Sequence, residues 1–226
     1  MATSSTNEKL IDTAHIIESK GTHHHSIIWL HGFGDSSDGY KDLFTRIQPS
    51  NTRIVLPNAP KRLVTIENRQ YQLRSWYDHD NTAIEAGLQV IESVKQLIDE
   101  ELKLVDDASH IIIGGFSQGA CLSLLAGLTY TKQQLGGIIC CSGQLVLENK
   151  IPEFLSEYAK KIPILVLHGK DDNRIPWDNA KSGFEILKKN GINDNMDVVL
   201  EDGVGHSISE RGFHLIIIFI IKQLKL

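Results

Sequence analysis

A glycine-flanked serine is the feature that most constrains this chain of 226 residues. Residues 115–119 read Gly-Phe-Ser-Gln-Gly, directly after the apolar run 110–114 and directly before the apolar segment 120–125. This pattern predicts a strand, a tight turn and a helix, with Ser117 at the apex of the turn. A strained turn between closely packed elements needs glycines two positions to either side of the serine. We therefore interpret Ser117 as a candidate nucleophile; the alternative is a serine that caps the helix N-terminus.

A histidine base is required because a serine hydroxyl is a poor nucleophile at neutral pH. In a chain with this turn, an acid and then the histidine follow the serine in sequence order. The segment 196–200 predicts an edge strand, and His206 follows it in a glycine-rich loop before the last helix. Of the ten histidines, His206 alone combines this order with this setting, which favours it as the base. The alternative is a solvated loop histidine.

The carboxylate that orients the histidine is expected in a loop at the carboxyl end of a buried parallel strand. The apolar run 162–167 predicts such a strand, and Asp171 and Asp172 lie in the loop that follows it. Adjacent residues on an irregular turn point in different directions, so the pattern alone does not separate these two aspartates. Asp202 is less favoured because it follows the last strand, where the histidine is expected.

Two N–H donors are expected to stabilise the negative oxygen that forms when a serine attacks a carbonyl. One is the backbone N–H of Gln118, the residue after the candidate nucleophile. The other is expected from a glycine-rich loop at 31–36, which follows a predicted strand at 26–30. Phe33 is the candidate for this second donor; the alternative is a plain turn between a strand and a helix.

Six segments, which include these motifs, resemble the acyl-protein thioesterase family, also called the phospholipase/carboxylesterase family. The segments are 31–36 (His-Gly-Phe-Gly-Asp-Ser), 58–60 (Asn-Ala-Pro), 75–78 (Ser-Trp-Tyr-Asp), 114–120, 168–169 with Asp172 and 175–176, and 205–207 (Gly-His-Ser). The resemblance implies a small α/β-hydrolase without a lid that carries a Ser, Asp, His triad. It implies acyl thioesters of palmitoylated proteins, lysophospholipids and simple esters as substrates.

Carried onto this sequence, the resemblance implies that Ser117, Asp172 and His206 are catalytic and that Phe33 and Gln118 form the oxyanion hole. It selects Asp172 over its neighbour because the family pattern reads His-Gly-x-x-Asp. Three functions are then open. The first is an acyl-protein thioesterase or lysophospholipase, and the second is a short-chain carboxylesterase. The third is a protein of the same fold that binds a ligand without catalysis, and a complete triad argues against it.

Two residues are expected to contact substrate. Trp76 is interpreted either as a wall of the acyl site or as a core tryptophan. Gln144 stands where the resemblance leads us to expect a large aromatic residue, so the preferred acyl length is left open. Arg69 and Arg74 are expected in a loop that leads to Trp76, either solvated or facing an acidic head group.

The rest of the chain predicts a single-domain α/β-hydrolase fold, with a mostly parallel, doubly wound sheet and helices on both faces. The strands are expected near 27–30, 53–56, 110–114, 137–141, 162–167 and 196–200, with an antiparallel edge strand within 10–17. The clearest helices are expected at 82–102 and 178–189, the second ending at Asn190 and Gly191. One domain is expected over 1–226, with 1–9 as a flexible polar N-terminus.

The composition of the chain indicates which partners and which cellular location to expect. The formal net charge of −5 comes without a basic stripe, which argues against nucleic acid as a partner. The three cysteines include an adjacent pair, which indicates reduced thiols and, with the polar start of the chain, a cytoplasmic protein. The resemblance also allows a weak homodimer and transient contact with a membrane surface.

Two segments invite other interpretations. His23, His24 and His25 suggest a metal site, but alternate side chains of an extended segment face opposite sides, so a solvated loop is favoured. We therefore expect neither a metal nor another cofactor. The apolar run 215–221 is too short to span a bilayer and predicts instead a heavily buried final helix.

Overall fold

The structure is a computed structural model that describes residues 9–66, 69–77 and 84–226, and in 84–88 the backbone alone. The predicted N-terminal segment 1–9 lies outside these residues except for Lys9. The strands are β1 (His15–Ile17), β2 (His25–Leu30), β3 (Thr52–Leu56), β4 (Lys61–Ile66), β5 (Arg69–Arg74), β6 (Ile111–Phe116), β7 (Gly137–Cys141), β8 (Ile164–Gly169) and β9 (Met196–Glu201). The helices are α1 (Asp38–Ile47), α2 (Ile84–Val105), α3 (Gln118–Leu128), α4 (Ile151–Phe154), α5 (Trp177–Lys189) and α6 (Glu210–Leu224).

A seven-stranded sheet forms the centre of the fold, in the order β1, β3, β2, β6, β7, β8, β9. Only the edge strand β1 runs antiparallel to its neighbour. Successive side chains of a strand face opposite sides. Ile28 of β2 accordingly lies in the core on the side of α2, α3 and α5, whereas Trp29 lies in the core on the side of α1 and α6. The predicted α/β fold, with helices on both faces of a mostly parallel sheet, is confirmed.

The predicted elements differ from the structure mainly at their ends. The helix expected at 82–102 extends from Ile84 to Val105, and position 82 lies outside the described residues. The helix expected at 178–189 begins one residue earlier and ends as predicted, with Gly191 at φ 88°. Within 10–17 only His15–Ile17 is a strand; Leu10–Thr13 form a turn of 3₁₀ helix.

A β-hairpin replaces the loop that we expected before Trp76. Strands β4 and β5 pair with each other, with Val64 opposite Tyr71, and form a sheet separate from the main one. Val64 is buried, whereas Leu63 and Tyr71 are exposed. The prediction of a loop is therefore wrong, since Arg69 and Arg74 are the two ends of a strand.

The last helix is less buried than the sequence predicts. In α6, Ile216, Phe219 and Ile220 pack against the sheet, but Ile218 is 59% exposed and Ile221 is 43% exposed. A helix on a sheet buries one stripe of its surface, so an apolar run leaves some side chains outside. Within residues 9–66, 69–77 and 84–226, every helix is too short or too polar to cross a bilayer.

The histidines before the first core strand are not all solvated. His24 is exposed, but His23 is half-buried, and its Nε2 lies 2.9 Å from Oγ of Ser26. Ser26 in turn donates a hydrogen bond to the buried Glu101, 2.7 Å away. Across the described parts of the chain, no three His, Cys, Asp or Glu side chains are grouped to hold a metal ion. The expectation of a solvated loop is therefore wrong for His23, and likewise for His25, which begins β2.

We expect His25 to make the fold sensitive to acid. Burial, and then the nearby charges of His110 and His24, lower the pKa of its imidazole, and its ring centroid lies 4.9 Å from that of His110. A lowered folded pKa means that stability is full above the unfolded value of about 6.5 and falls as pH drops below it.

The measurement is urea unfolding at about pH 7.5 and about pH 5.5. His25→Gln should lose less free energy of unfolding between these conditions than the wild type. His214→Gln, at an exposed position on α6, is the matched control and should keep the wild-type difference. Equal pH dependence in wild type and His25→Gln would contradict the prediction.

Candidate active site

Ser117 lies at the apex of a strained turn between β6 and α3. Its φ is 54° and its ψ is −120°, which is unfavourable for a residue with a side chain. The flanking glycines are required by close packing. A Cβ on Gly115 would lie 2.5 Å from the carbonyl oxygen of Leu30, and a Cβ on Gly119 would collide with the same oxygen. The turn is held by the Ser117 N–H, which donates to the carbonyl of Cys141 at 2.9 Å.

His206 reaches Ser117 from the loop between β9 and α6. Its Nε2 lies 2.8 Å from the Ser117 Oγ, and its ring packs against Phe116 with centroids 4.9 Å apart. The end of this loop is fixed by Ser209, the N-cap of α6, which accepts a hydrogen bond from the Gly212 N–H. The imidazole is thereby held within hydrogen-bonding distance of the serine hydroxyl.

Asp172 contacts the other side of the His206 ring. Its Oδ2 lies 2.8 Å from Nδ1 of His206, and its Oδ1 accepts the N–H groups of Arg174 and Ile175, each at 2.9 Å. Burial by itself raises the pKa of this carboxyl, but the Ile175 N–H, His206 and the Arg174 N–H outweigh it, so the pKa is lowered. The side chain is therefore a buried carboxylate that orients His206.

The two competing aspartates lie elsewhere. Asp171 is exposed, and its N–H is held by the carbonyl of Val204. Asp202 forms an ion pair with Lys170 at 2.8 Å on the surface. Of the three aspartates that the sequence offered, the structure brings Asp172 to the histidine.

His168 is a site residue that the pattern did not single out. This last-but-one residue of β8 is buried, and its Nε2 lies 2.7 Å from the carbonyl oxygen of Ile175 and 3.6 Å from Oδ2 of Asp172. Its ring packs against Trp177, with centroids 5.4 Å apart. It therefore fixes the loop that carries the carboxylate, a role that the His-Gly-x-x-Asp pattern did not assign to it.

The elements that carry the two predicted oxyanion donors lie beside the serine. Gln118 is the first residue of α3, where backbone N–H groups have no partner within the helix and the helix dipole favours negative charge. The loop that carries Phe33 also touches the turn, since a Cβ on Gly32 would lie 3.4 Å from the Cβ of Ser117. Both elements needed for an oxyanion hole therefore adjoin the Ser117 side chain.

The side chain of Gln118 has a second set of contacts that the sequence did not reveal. Its Oε1 accepts the Trp76 N–H at 2.9 Å, and its Nε2 donates to the Tyr77 carbonyl at 2.7 Å and to Oγ of Ser75 at 3.2 Å. The carboxamide is itself buried. The first residue of the nucleophile helix thus holds the segment that follows the hairpin.

The Trp76 side chain lies in the core beside the site. Its side chain has no exposed surface, and its Nε1 donates to the carbonyl of His31 at 2.8 Å. Of the two interpretations offered by the sequence, this burial supports the core tryptophan, and a role for Trp76 in substrate binding stays a prediction. An indole without accessible surface cannot contact a substrate unless the site first rearranges.

Gln144 lies on the loop after β7 and is partly exposed. Its N–H donates to Sγ of the buried Cys121 at 3.3 Å. Cys121 also hydrogen-bonds the Tyr77 side chain, and burial raises the pKa of its thiol. The two loops that follow the hairpin and β7 are thus joined through one side chain of α3. A role for Gln144 in substrate binding stays a prediction.

Arg74 is a structural residue of the hairpin and is not simply solvated. Its guanidinium donates to the Ala59 carbonyl at 2.9 Å, and its own carbonyl accepts the Gly34 N–H at 2.8 Å. Arg62 adds a bond from its Nε to the Ser75 carbonyl at 3.1 Å. The base of the hairpin is therefore bound directly to the loop that carries Phe33.

A strained serine between a parallel strand and a helix, with histidine and aspartate on later loops of the same sheet edge, defines an α/β-hydrolase. The family model described as phospholipase/carboxylesterase matches residues 11–224. The chain belongs to the phospholipase/carboxylesterase family, as the sequence resemblance predicted.

Relatives in this family cover nearly the whole chain. Acyl-protein thioesterase 1 homolog 1 of Dictyostelium discoideum is 34% identical over 95% of this chain and 97% of its own length. Acyl-protein thioesterase 1 of Schizosaccharomyces pombe is 36% identical, with 88% of this chain and 90% of the relative covered. The crystal structure of Arabidopsis thaliana SOBER1 superposes with a TM-score of 0.80 at 31% identity, covering 88% of this chain and 99% of that one.

Proposed function

We propose that this protein is a serine hydrolase that cleaves acyl thioesters and esters through an acyl-enzyme. The observation that carries the proposal is the continuous hydrogen-bonded chain from Ser117 Oγ through His206 to Asp172, with both contacts at 2.8 Å. Such a chain activates a serine hydroxyl by giving its proton a base and the base a counter-charge. The names of the relatives, acyl-protein thioesterase and carboxylesterase, support the same chemistry.

In the acylation step, His206 Nε2 takes the proton from Ser117 as its oxygen bonds to the acyl carbonyl carbon. Asp172 stabilises the imidazolium that results. The backbone N–H groups of Phe33 and Gln118 hold the negative oxygen of the tetrahedral intermediate. Collapse of the intermediate breaks the bond to sulfur or oxygen, and the imidazolium returns its proton to the departing thiolate or alkoxide.

Deacylation repeats these events with water as the attacking group. His206 takes a proton from the water, whose oxygen bonds to the acyl carbon, and the proton then passes to Ser117 as the acid is released. A thiolate is a better leaving group than an alkoxide, so a thioester needs less protonation of its leaving group. The partly exposed edge of His206, whose side chain is 19% exposed, gives water a route to the base.

As substrates we propose acylated proteins, in a depalmitoylating reaction, or lysophospholipids. The second candidate is a short-chain carboxylesterase, which the carboxylesterase name of the Arabidopsis relative favours. Turnover of one thioester or ester series from acetyl to palmitoyl separates the two. Failure on every chain above about eight carbons would leave the short-chain esterase; the triad itself serves either reaction.

A fluorophosphonate probe tests the proposal against a hydrolase fold that only binds ligands. The wild type should be labelled at Ser117, and mass spectrometry of the labelled peptide identifies the site. Ser123, a buried serine on α3, provides the control, because Ser123→Ala should be labelled like the wild type. A folded wild type that resists labelling would favour the binding protein.

The proposed setting is cytoplasmic, with transient contact at membrane surfaces and a weak homodimer. The hairpin supports the membrane contact, because its exposed Leu63, Ile66 and Tyr71 stand among basic residues. Those basic residues are Lys61, Arg62 and Arg69. Exposed apolar side chains with cations in the same strands suit the boundary between acyl chains and anionic head groups.

The side-chain carboxamide of Gln118 should contribute to turnover, in addition to the contribution of the backbone N–H of the same residue. Gln118→Ala keeps the backbone donor but loses the hold on Trp76 and Tyr77, so kcat should fall by about 10- to 100-fold through misplacement of the site. Steady-state kinetics on a thioester gives the measurement. Gln89→Ala, an exposed glutamine on α2, is the control and should leave kcat unchanged. Wild-type turnover in Gln118→Ala would show that the hydrogen bonds from the Gln118 carboxamide to Trp76 and Tyr77 are dispensable.

A further inference from the structure

His31 begins the loop that carries Phe33, and it has no part in the proton transfers above. Its ring is buried, with 1% of the residue exposed, and both ring nitrogens have partners. Nδ1 lies 2.7 Å from the carbonyl oxygen of Gly32, and Nε2 lies 3.0 Å from the N–H of Ala59. A buried ring with two backbone partners is a fixed element of the loop.

These partners determine the tautomer of His31. The Ala59 N–H can only donate, so Nε2 must accept and carries no proton. The proton of a neutral imidazole is then on Nδ1, where it donates to the Gly32 carbonyl. Burial lowers the pKa of His31, which favours this neutral form. A doubly protonated ring would direct an N–H at another N–H, against Ala59.

The bond to the Gly32 carbonyl fixes a particular peptide group. That carbonyl and the N–H of Phe33 belong to one planar unit, and the described peptide bonds are all trans. In a trans peptide the C=O and the N–H point in opposite directions, so the direction of one determines that of the other. The Gly32 oxygen also accepts the Asp35 N–H at 3.3 Å, but the contact with His31 Nδ1 is shorter, at 2.7 Å. By holding the Gly32 oxygen, His31 helps to set the direction of the Phe33 N–H.

The ring cannot shift without breaking further contacts. Its partner Ala59 is held at the carbonyl by the Arg74 guanidinium, 2.9 Å away. The carbonyl of His31 accepts the indole N–H of Trp76 at 2.8 Å, and the centroids of the His31 and Trp76 rings lie 5.1 Å apart. The hairpin base and Trp76 thus brace the imidazole from two sides.

We propose that His31, as the neutral tautomer with its proton on Nδ1, is a positioning residue that aims the Phe33 N–H at the oxyanion. The inference rests on the proposed hydrolase function. It extends that function by assigning the orientation of one oxyanion donor to a side chain that touches neither the substrate nor the reacting atoms.

Two neutral substitutions separate the roles of the ring nitrogens. The amide nitrogen of asparagine falls near the Nδ1 position and can donate to the Gly32 carbonyl. The amide of glutamine falls near Nε2 and can meet only the Ala59 N–H. His31→Gln should lower kcat by about 10²-fold, as for loss of one oxyanion donor, while His31→Asn loses less than about tenfold. KM should stay within about threefold of wild type in both, because the donor acts on the transition state.

Several outcomes would overturn the role of His31. They are equal losses of kcat in the two variants, a larger loss in His31→Asn, or losses that follow thermal stability instead of ring position. Nitrogen-15 NMR of the wild-type imidazole gives a test without substitution, and a proton found on Nε2 would end the proposal even if a variant failed to fold. A wild type that neither turns over esters nor takes up a fluorophosphonate would instead refute the hydrolase function itself.

Discussion

Ser117→Ala is expected to lower kcat by at least about 10³-fold on any thioester or ester that the wild type cleaves. The reason is that the substitution removes the only atom of the site that forms a bond to the acyl carbon. The oxyanion donors and the bound substrate are retained, so a small residual rate above that of water is expected. Stopped-flow or steady-state kinetics with a chromogenic thioester, on protein of verified fold, measures the effect.

The same substitution should leave the fold intact, because the strain at this position belongs to the backbone. Ser117→Gly should raise the free energy of unfolding by about 1 kcal/mol, since glycine tolerates a φ of 54°. Ser123→Ala is the matched control. It removes the buried Ser123 hydroxyl, which lies on α3, the helix that follows Ser117, and has no hydrogen-bond partner. Activity of Ser117→Ala within tenfold of wild type would remove Ser117 from the mechanism.

The sheet could be predicted because its strands are buried on both faces. The runs at 110–114 and 162–167 are nearly all apolar, as expected of strands in a parallel sheet covered by helices. The hairpin of β4 and β5 lacks that signal. It stands apart from the main sheet, and Val64 is buried where its neighbours Leu63 and Thr65 are exposed. Val64 is the only buried residue of β4 and β5, so neither strand carries the long apolar run of a core strand.

The final helix was predicted, but the side chains that it buries were not. The run at 215–221 is apolar throughout, so its sequence identifies a helix that packs on a core but not which stripe faces inward. The structure buries Phe219 and Ile220 and leaves Ile218 exposed. The inward stripe is the one that meets β7 and β8, which lie far away in the sequence.

Site residues could be predicted where their roles follow from their order in the chain. They could not be predicted where their roles depend on contacts between distant parts of the sequence. Order and loop position identify Ser117 and His206, and the family pattern was needed to choose Asp172. The side chains of His31 and Gln118 act on segments 28 and 42 residues away. Such partners depend on how the hairpin folds back on the loops, which the sequence pattern did not predict.

Asp172→Asn is expected to lower kcat by about 10⁴-fold with the geometry of the site preserved. The asparagine oxygen would keep the two N–H groups of Arg174 and Ile175, which places the amide NH₂ against Nδ1 of His206. Because that NH₂ can only donate, Nδ1 must accept, and the imidazole proton moves to Nε2. A ring with its proton on Nε2 faces Ser117 as a donor and cannot take the serine proton. Steady-state kinetics at pH 7–8, about the range in which an imidazole base is neutral, gives the measurement.

Asp171→Asn is the control for this substitution, because it makes the same chemical change one residue earlier on an exposed side chain. It should leave kcat unchanged, and a loss equal to that of Asp172→Asn would contradict the assignment. Stability gives an independent check. A carboxyl whose folded pKa is lowered stabilises the fold above the unfolded pKa of about 3.9 and loses that contribution as pH falls through the folded value. The difference in free energy of unfolding between wild type and Asp172→Asn should therefore shrink from neutral to acid pH, and a constant difference would mean that the carboxylate is not stabilised by His206 and the two N–H groups.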